Sequence, residues 1–405
     1  MKRVRARSGG AILGVVLVLL SGCRDAVEFR QPIVRDSAGV RIVENFDDSV
    51  AVLPVTPAPV LAIGSATDTL TGLYQAEGAH RLADGRIVIA NRGTDELRFY
   101  DTEGRYLRAV GRTGQGPGEF DYIAWTARCG TDTLYVYDIV TQRLTVLDGE
   151  GNTIRLTRLM LPENTLPYGR GQCQPGGPFV AAGWAAARPE PGLHRHVMPV
   201  GLASLDGEPL AMIGEFPGVD RWGTVRDGRV TGSGPLPFGR DLAQAIVADR
   251  VFVGSGDTYE VQVYGLDGTL EQLVRLGVPE RPLTDTDIEA FVETRLRGME
   301  DANAQVRARQ FYRDMEFLPR LPPYARFVAD AAETVWIQDY PGPRDTTSLW
   351  RRFTSDGQYV GRATLPADLE VFEIGDDYVL GVQRNELDVE YVQLFGLGAA
   401  ATAVP

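Results

Sequence analysis

From about residue 57 onward, apolar and polar positions alternate in short runs rich in Val, Ile, Tyr and Phe, broken by Gly and Asp. That is the signature of half-buried strands. Five such runs are RIVIAN (86–91), TLYVYD (133–138), PFVAAG (178–183), RVFVGS (250–255) and TVWIQD (334–339). Each lies upstream of an acidic residue followed by glycine: Glu103-Gly104, Glu150-Gly151, Asp206-Gly207, Asp267-Gly268 and Asp356-Gly357. Glycine accepts positive φ at low cost, so these pairs predict tight hairpins. Four residues before the glycines stand Tyr100, Leu147, Ala203, Tyr264 and Phe353, mostly large apolar residues that would end the preceding strand. The unit is strand, turn, strand, loop, strand, hairpin, strand over roughly 45 residues, the size of one four-stranded propeller blade. A blade buries neither face alone, so the unit has to recur and close.

A sixth unit begins near Asp368 but runs out after EYVQLFGL (390–397), before any fourth strand. Residues 59–64 (PVLAIG) match the fourth strands RYLRAVG, EPLAMIG and LEQLVRLG, which end at Gly111, Gly214 and Gly277. The expectation is an all-β, six-bladed β-propeller over residues 57–397, with an N-terminal strand closing the last blade, one helical insertion and a tail at 398–405. Two segments depart from the repeat. Residues 217–240 are rich in Gly and Pro and read as a long surface loop, with a hidden irregular strand as the alternative. Residues 284–317 open with Thr284 and Asp287 in capping-box spacing and carry Ile288, Phe291, Val292, Leu296, Met299, Val306, Tyr312 and Met315 at helical spacing. Gly298 is expected to split them into two helices. Packing on the propeller rim is the plain reading, with a lid or a partner-docking element as the alternatives.

With GRTGQGPGEF (111–120), LADGRIVIAN (82–91) and the Asp-Gly hairpins, the chain resembles six-bladed propellers of the NHL-repeat type, in particular bacterial propeller lipoproteins. The resemblance speaks to architecture and leaves function open, because one fold hosts many activities.

The start of the chain predicts an address. Lys2, Arg3, Arg5 and Arg7 precede the apolar stretch AILGVVLVLL (11–20), too short to span a bilayer, which takes about 20 residues. Leu20, Ser21, Gly22 and Cys23 follow, and they resemble the lipobox of bacterial lipoproteins. That resemblance implies removal of residues 1–22 as a signal peptide, lipidation of Cys23 and a tether over 23–56. The protein would then face the periplasm or cell exterior from a membrane. Arg24 stands where an aspartate would favour inner-membrane retention, which tilts the expectation to the outer membrane. Several acyl chains, each contributing about 0.8 kcal/mol per buried CH₂, would make the anchoring stable.

Composition narrows the chemistry. The chain of 405 residues carries 54 acidic and 41 basic residues, a formal charge of −13 that argues against nucleic acid as a partner. Lys2 is the only lysine, so the mature chain has none, which excludes a Schiff base or a Walker-type phosphate loop. The glycines of 111–118 do not follow the dinucleotide-binding spacing and read as an inter-blade turn. Besides Cys23 there are two cysteines, Cys129 and Cys173, at corresponding positions of adjacent blades. An oxidising compartment predicts a disulfide between them, two buried thiols being the alternative. His194 and His196 would share a strand face without an evident third ligand.

Inner strands line the central channel of a propeller. Counting ten residues back from each second strand gives Glu77, Ala124, Gly169, Asp241, Ala325 and Asp368, with Asp121 close by and His80 on the first inner strand. Glu77, His80, Asp121, Asp241 and Asp368 are therefore the candidates for ligand binding in the channel. Carboxylates around one axis would suit Ca²⁺ or a cationic ligand. Against this stands pairing with Arg81, Arg170, Arg240 and Arg326. The expected function is a membrane-anchored module binding a peptide, glycan or partner protein, and the alternative is a calcium-dependent hydrolase or lyase working in the channel.

Overall fold

The computed structural model describes residues 30–47, 50–174, 176–183, 188–297 and 299–398. Six antiparallel units follow one another around a ring. Blade 1 holds the strands Ala76–Arg81, Ile87–Asn91, Glu96–Tyr100 and Tyr106–Val110, from channel to rim. Blade 2 runs from Ile123–Arg128 to Thr153–Arg158, blade 3 from Gln172–Cys173, blade 4 from Ala243–Val247, blade 5 from Tyr324–Ala329 and blade 6 from Glu370–Ile374.

The core lies between blades. Phe99 and Leu97 of blade 1 pack on Ile123, Val136 and Leu147 of blade 2. Trp125 and Tyr137 of blade 2 pack on Phe179 of blade 3. Four further clusters repeat this arrangement, the last joining Leu380 and Val382 of blade 6 to Ala79, Ile87 and Ile89 of blade 1. Each large side chain buried this way contributes roughly 1.5–3 kcal/mol, and much of it depends on a neighbouring blade.

The hairpin glycines bind blade to blade as well. Gly268 has φ +82°, and a Cβ there would press on the Met212 carbonyl in the outer strand of blade 3. Gly357 has φ +76°, and a Cβ would strike Val274 in the outer strand of blade 4. Glycine is needed twice over, for the turn and for the close approach.

The N-terminal segment laces the outer edges together. Strands β1 (Ile33–Ser37) and β2 (Val40–Phe46) form a hairpin, and β2 adds in parallel to Leu270–Gly277 of blade 4. β3 (Ala51–Val52) adds in parallel to Tyr359–Pro366 of blade 5. β4 (Leu61–Ile63) supplies the fourth strand of blade 6, with Ile63 opposite Val392, so the last blade is closed by an N-terminal strand as expected. Within 23–56, expected as a lipid tether and N-terminal segment, residues 33–37, 40–46 and 51–52 are thus part of the sheets. Asn45 fixes β2 by donating to the Gly357 carbonyl (2.9 Å) and accepting the Tyr359 amide (2.9 Å).

In the Gly- and Pro-rich stretch 217–240 the structure replaces the long loop with the alternative, irregular strand. The outer strand of blade 3 continues as Pro209–Arg226 and folds back as a fifth strand, Arg229–Pro235. Its ladder with Gly192–Ala203 shifts register between Arg195 and Val197, opposite Pro217, and such an irregularity accommodates a proline inside a strand.

The insertion is two helices, α1 (Asp285–Leu296) and α2 (Ala302–Arg313). The capping box is present: Thr284 Oγ1 accepts the Asp287 amide, and Asp287 accepts the Thr284 amide. Phe291 of α1 packs edge-on against Phe238 (5.1 Å), which also faces Phe317. Among the described residues, none of α1 or α2 borders the channel cavity, and α1 packs on Phe238 outside it. Gly298 and Cys23 lie outside the described residues, and lipidation is therefore carried by the sequence alone. Among the described residues no helix is long and apolar enough to cross a membrane.

Candidate functional site

The channel contains a cavity of about 580 Å³ bordered by residues at the inner ends of all six blades. Two layers of polar side chains lie at and around it. Near the starts of the inner strands, Arg92 pairs with Glu77 (2.6 Å) and Arg170 with Glu370 (2.5 Å). Arg170 also reaches toward Glu77 (3.9 Å) and lies over the Phe372 ring (4.9 Å), while Arg326 approaches Glu370 (3.6 Å). Burial raises the pKa of Glu77 against the pull of Arg92 and Arg170. Glu370 is half-buried, which works to raise it, but Arg170, Arg326 and Arg384 outweigh that cost and hold its carboxyl below the ordinary value. Arg326 is depressed by burial and by repulsion from Arg170. Asp241 borders the same layer, accepts the Leu242 amide (2.7 Å), and is raised by the protein crowded around it.

The second layer centres on Glu373. His80 Nδ1 lies 2.8 Å from Glu373 Oε2, and His80 Nε2 lies 2.9 Å from Thr126 Oγ1. Arg128 grips Glu373 with Nε and Nη2 (3.2 and 3.1 Å), and the Tyr378 hydroxyl and the Arg81 amide also donate to it. Burial alone would raise Glu373. The bonds from His80 and Arg128 reverse this and bring its pKa to about 2.

Of the predicted channel residues, Glu77, His80 and Asp241 border the cavity, while Asp121 and Asp368 do not. Asp121 accepts Gln115 Nε2 (2.7 Å) in the inter-blade loop, and Asp368 accepts Gln383 Nε2 (2.8 Å) in the turn before blade 6. The residue count crosses β-bulges, between Ala76 and Gly78 in blade 1 and between Val371 and Glu373 in blade 6, and one added residue changes which face a side chain takes. In blade 6 the bulge places Glu370 and Glu373 two rungs apart on the channel face, and both were missed.

Cys129 and Cys173 form the disulfide, with Cα atoms 5.7 Å apart. Arg240 pairs with Asp220 (2.8 Å) and Arg81 with Asp377 (3.0 Å), away from the carboxylates of the first layer. His194 Nδ1 bonds the Gly192 carbonyl (3.0 Å), and His196 faces Glu190 (3.8 Å). Among the described residues no group of three or more His, Cys, Asp or Glu side chains is placed to hold a metal ion. The channel acids meet guanidinium groups instead of one another. Gly116 of the glycine loop donates to Glu119 (2.8 Å), consistent with a turn that satisfies itself. A second cavity of about 980 Å³ lies between blades 4 and 5, bordered by Asp47, Tyr259, Asp339, Arg351 and the feet of the helical insertion.

A family described as a 6-bladed beta-propeller, DUF5128, matches residues 78–161. The chain is a six-bladed β-propeller. Solved structures similar to this propeller include a DUF4221 family member from Bacteroides vulgatus, 11% identical, covering 86% of this chain and 99% of its own, with a TM-score of 0.49. The virginiamycin B lyase of Staphylococcus aureus is 10% identical over 83% of this chain and 98% of its own (TM-score 0.39). A gluconolactonase from Xanthomonas campestris is 12% identical over 86% and 100% (TM-score 0.41). No curated protein matches the sequence.

Proposed function

We propose that this propeller is a binding module, anchored in the bacterial envelope through Cys23, whose channel takes a ligand bearing a carboxylate, such as the C-terminus of a peptide. The observation supporting this reading is the gathering of guanidinium groups in the first channel layer. Three guanidinium groups, Arg92, Arg170 and Arg326, face two carboxylates, Glu77 and Glu370. The third nearby acid, Asp241, is exposed at the same layer and takes part in none of these pairs, accepting the Leu242 amide instead. Arg170 and Arg326 keep about a third of their side-chain surface exposed (34% each), enough to meet an incoming anion. A charge-assisted hydrogen bond of this kind contributes about 1.5–3 kcal/mol.

The test is calorimetric titration with short peptides carrying a free C-terminal carboxylate and with their C-terminal amides. The carboxylates are expected to bind and the amides to bind at least about tenfold more weakly, with Arg326→Gln erasing the difference. Equal binding of both, or of neither, would overturn the assignment. The address is tested separately: Cys23→Ala should move the protein from the membrane to the soluble fraction, and a variant that stayed in the membrane would defeat the lipid anchor.

A further inference from the structure

The second channel layer holds the parts of a hydroxyl nucleophile, and we infer that Thr126, His80 and Glu373 form a site for cleaving carboxylic esters. Three blades contribute one residue each: Thr126 lies on the inner strand of blade 2, His80 on that of blade 1 and Glu373 on that of blade 6. All three border the channel cavity. The chain of contacts is hydroxyl to imidazole (2.9 Å), then imidazole to carboxylate (2.8 Å), the order that nucleophilic catalysis requires.

The surroundings fix each role. Glu373 stays ionised at ordinary pH, so it accepts, and Nδ1 of His80 must donate to it. In neutral His80 this leaves Nε2 unprotonated and facing the Thr126 hydroxyl. Glu373 is in turn held by Arg128, Tyr378 and the Arg81 amide, which restrict its motion and therefore that of the imidazole. The hydroxyl also needs space. Gly78 stands beside it, and a Cβ at that position would collide with Thr126 Oγ1. A glycine at a neighbouring position where any side chain would displace the hydroxyl is a second feature of the same site.

The step balances without an oxidant, metal or cofactor. Thr126 Oγ1 attacks the ester carbonyl carbon while its proton passes to His80 Nε2. The bond to the alkoxide then breaks, and the leaving alcohol takes that proton. Water attacks the acyl-threonine, giving a proton through Nε2, and releases the carboxylic acid with the Thr126 hydroxyl restored. Ester and water become acid and alcohol.

The test is treatment of the full-length protein with p-nitrophenyl acetate, followed by release of nitrophenol and by mass spectrometry of the protein and its peptides. Expected are one acetyl group on the peptide containing Thr126, its absence in Thr126→Val, and a rate lowered about 100-fold or more in His80→Gln. Thr126→Ser keeps the hydroxyl and loses only the methyl, and it should be acetylated even if the valine variant does not fold. No acetylation of either wild type or Thr126→Ser would overturn the inference, as would equal acetylation of folded Thr126→Val.

Discussion

Reducing the Cys129–Cys173 bond should lower the melting temperature by an amount that follows from its position. The bond spans 44 residues. In the chain-entropy account, closing a loop of that length removes enough freedom from the unfolded chain to stabilise the fold by about 4 kcal/mol. Unfolding entropy near 60 °C is about 2.1 cal/mol/K per residue, so over a chain of this length the loss corresponds to a drop of about 5 °C. The location adds a local expectation. The inner strand of blade 3 is only Gln172–Cys173, paired with Phe179 and Val180, and the disulfide holds it to the end of the inner strand of blade 2. Differential scanning calorimetry on oxidised protein, on reduced and alkylated protein and on Cys129→Ala/Cys173→Ala would measure the global term. Hydrogen exchange at residues 172–180 would measure the local one, with protection there lost first. Melting of the reduced and double-alanine proteins within a degree of the oxidised form, with exchange unchanged, would refute the reasoning and place blade 3 under the control of its neighbours alone.

Three further outcomes are expected. Glu373 has a folded pKa of about 2 against an ordinary 4.5, so its stabilisation is complete above about pH 4.5 and disappears as pH falls toward 2. The contribution is of order 3 kcal/mol, and urea titrations from pH 2 to 6 should show a pH slope that flattens in Glu373→Gln. Ile63→Ala removes a side chain only 2% exposed from the closing strand and should cost about 3 kcal/mol, whereas Val60→Ala, 61% exposed, should change the melting temperature little. Gly357→Val demands positive φ from a β-branched residue and drives a side chain into Val274, so it should be among the most damaging single changes at a hairpin, read as lost soluble expression or a melt many degrees lower.

Much of the fold was legible because the repeat advertises itself locally. Gly104, Gly151, Gly207, Gly268 and Gly357 all take positive φ (73–87°), as an acidic-glycine hairpin requires. The closing strand was found only because 59–64 looks like the other outer strands. β1 and β2 carried no comparable mark: β2 pairs in parallel with residues some 230 positions away, and local spacing holds no trace of such a partner. Proline and glycine at 217–218 suggested a loop, yet a bulged edge strand admits both. At the candidate site the disulfide was legible from matched positions in neighbouring blades, while Asp121 and Asp368 stand in the loops before their inner strands, the count to Asp368 having crossed the bulge between Val371 and Glu373. His80 was recognised as a channel residue, but its contacts with Thr126 and Glu373 depend on three blades meeting, and spacing along one strand cannot show that.

The non-covalent closure of blade 6 has a consequence for how the molecule is made. Leu61–Ile63 leave the ribosome more than 300 residues before Glu390–Gly396, the strand they must pair with. Until then the early strand has no ladder, and the flank of blade 1 that packs against Leu380 and Val382 has no cover. Contacts so distant in sequence form slowly, and the waiting chain exposes apolar surface. A chain that stops early is left permanently in that state, with an open strand edge and a bare blade face. Completion of the ring therefore acts as a check on length, since only a product that reaches its final blade loses the features by which unfinished chains aggregate or are degraded.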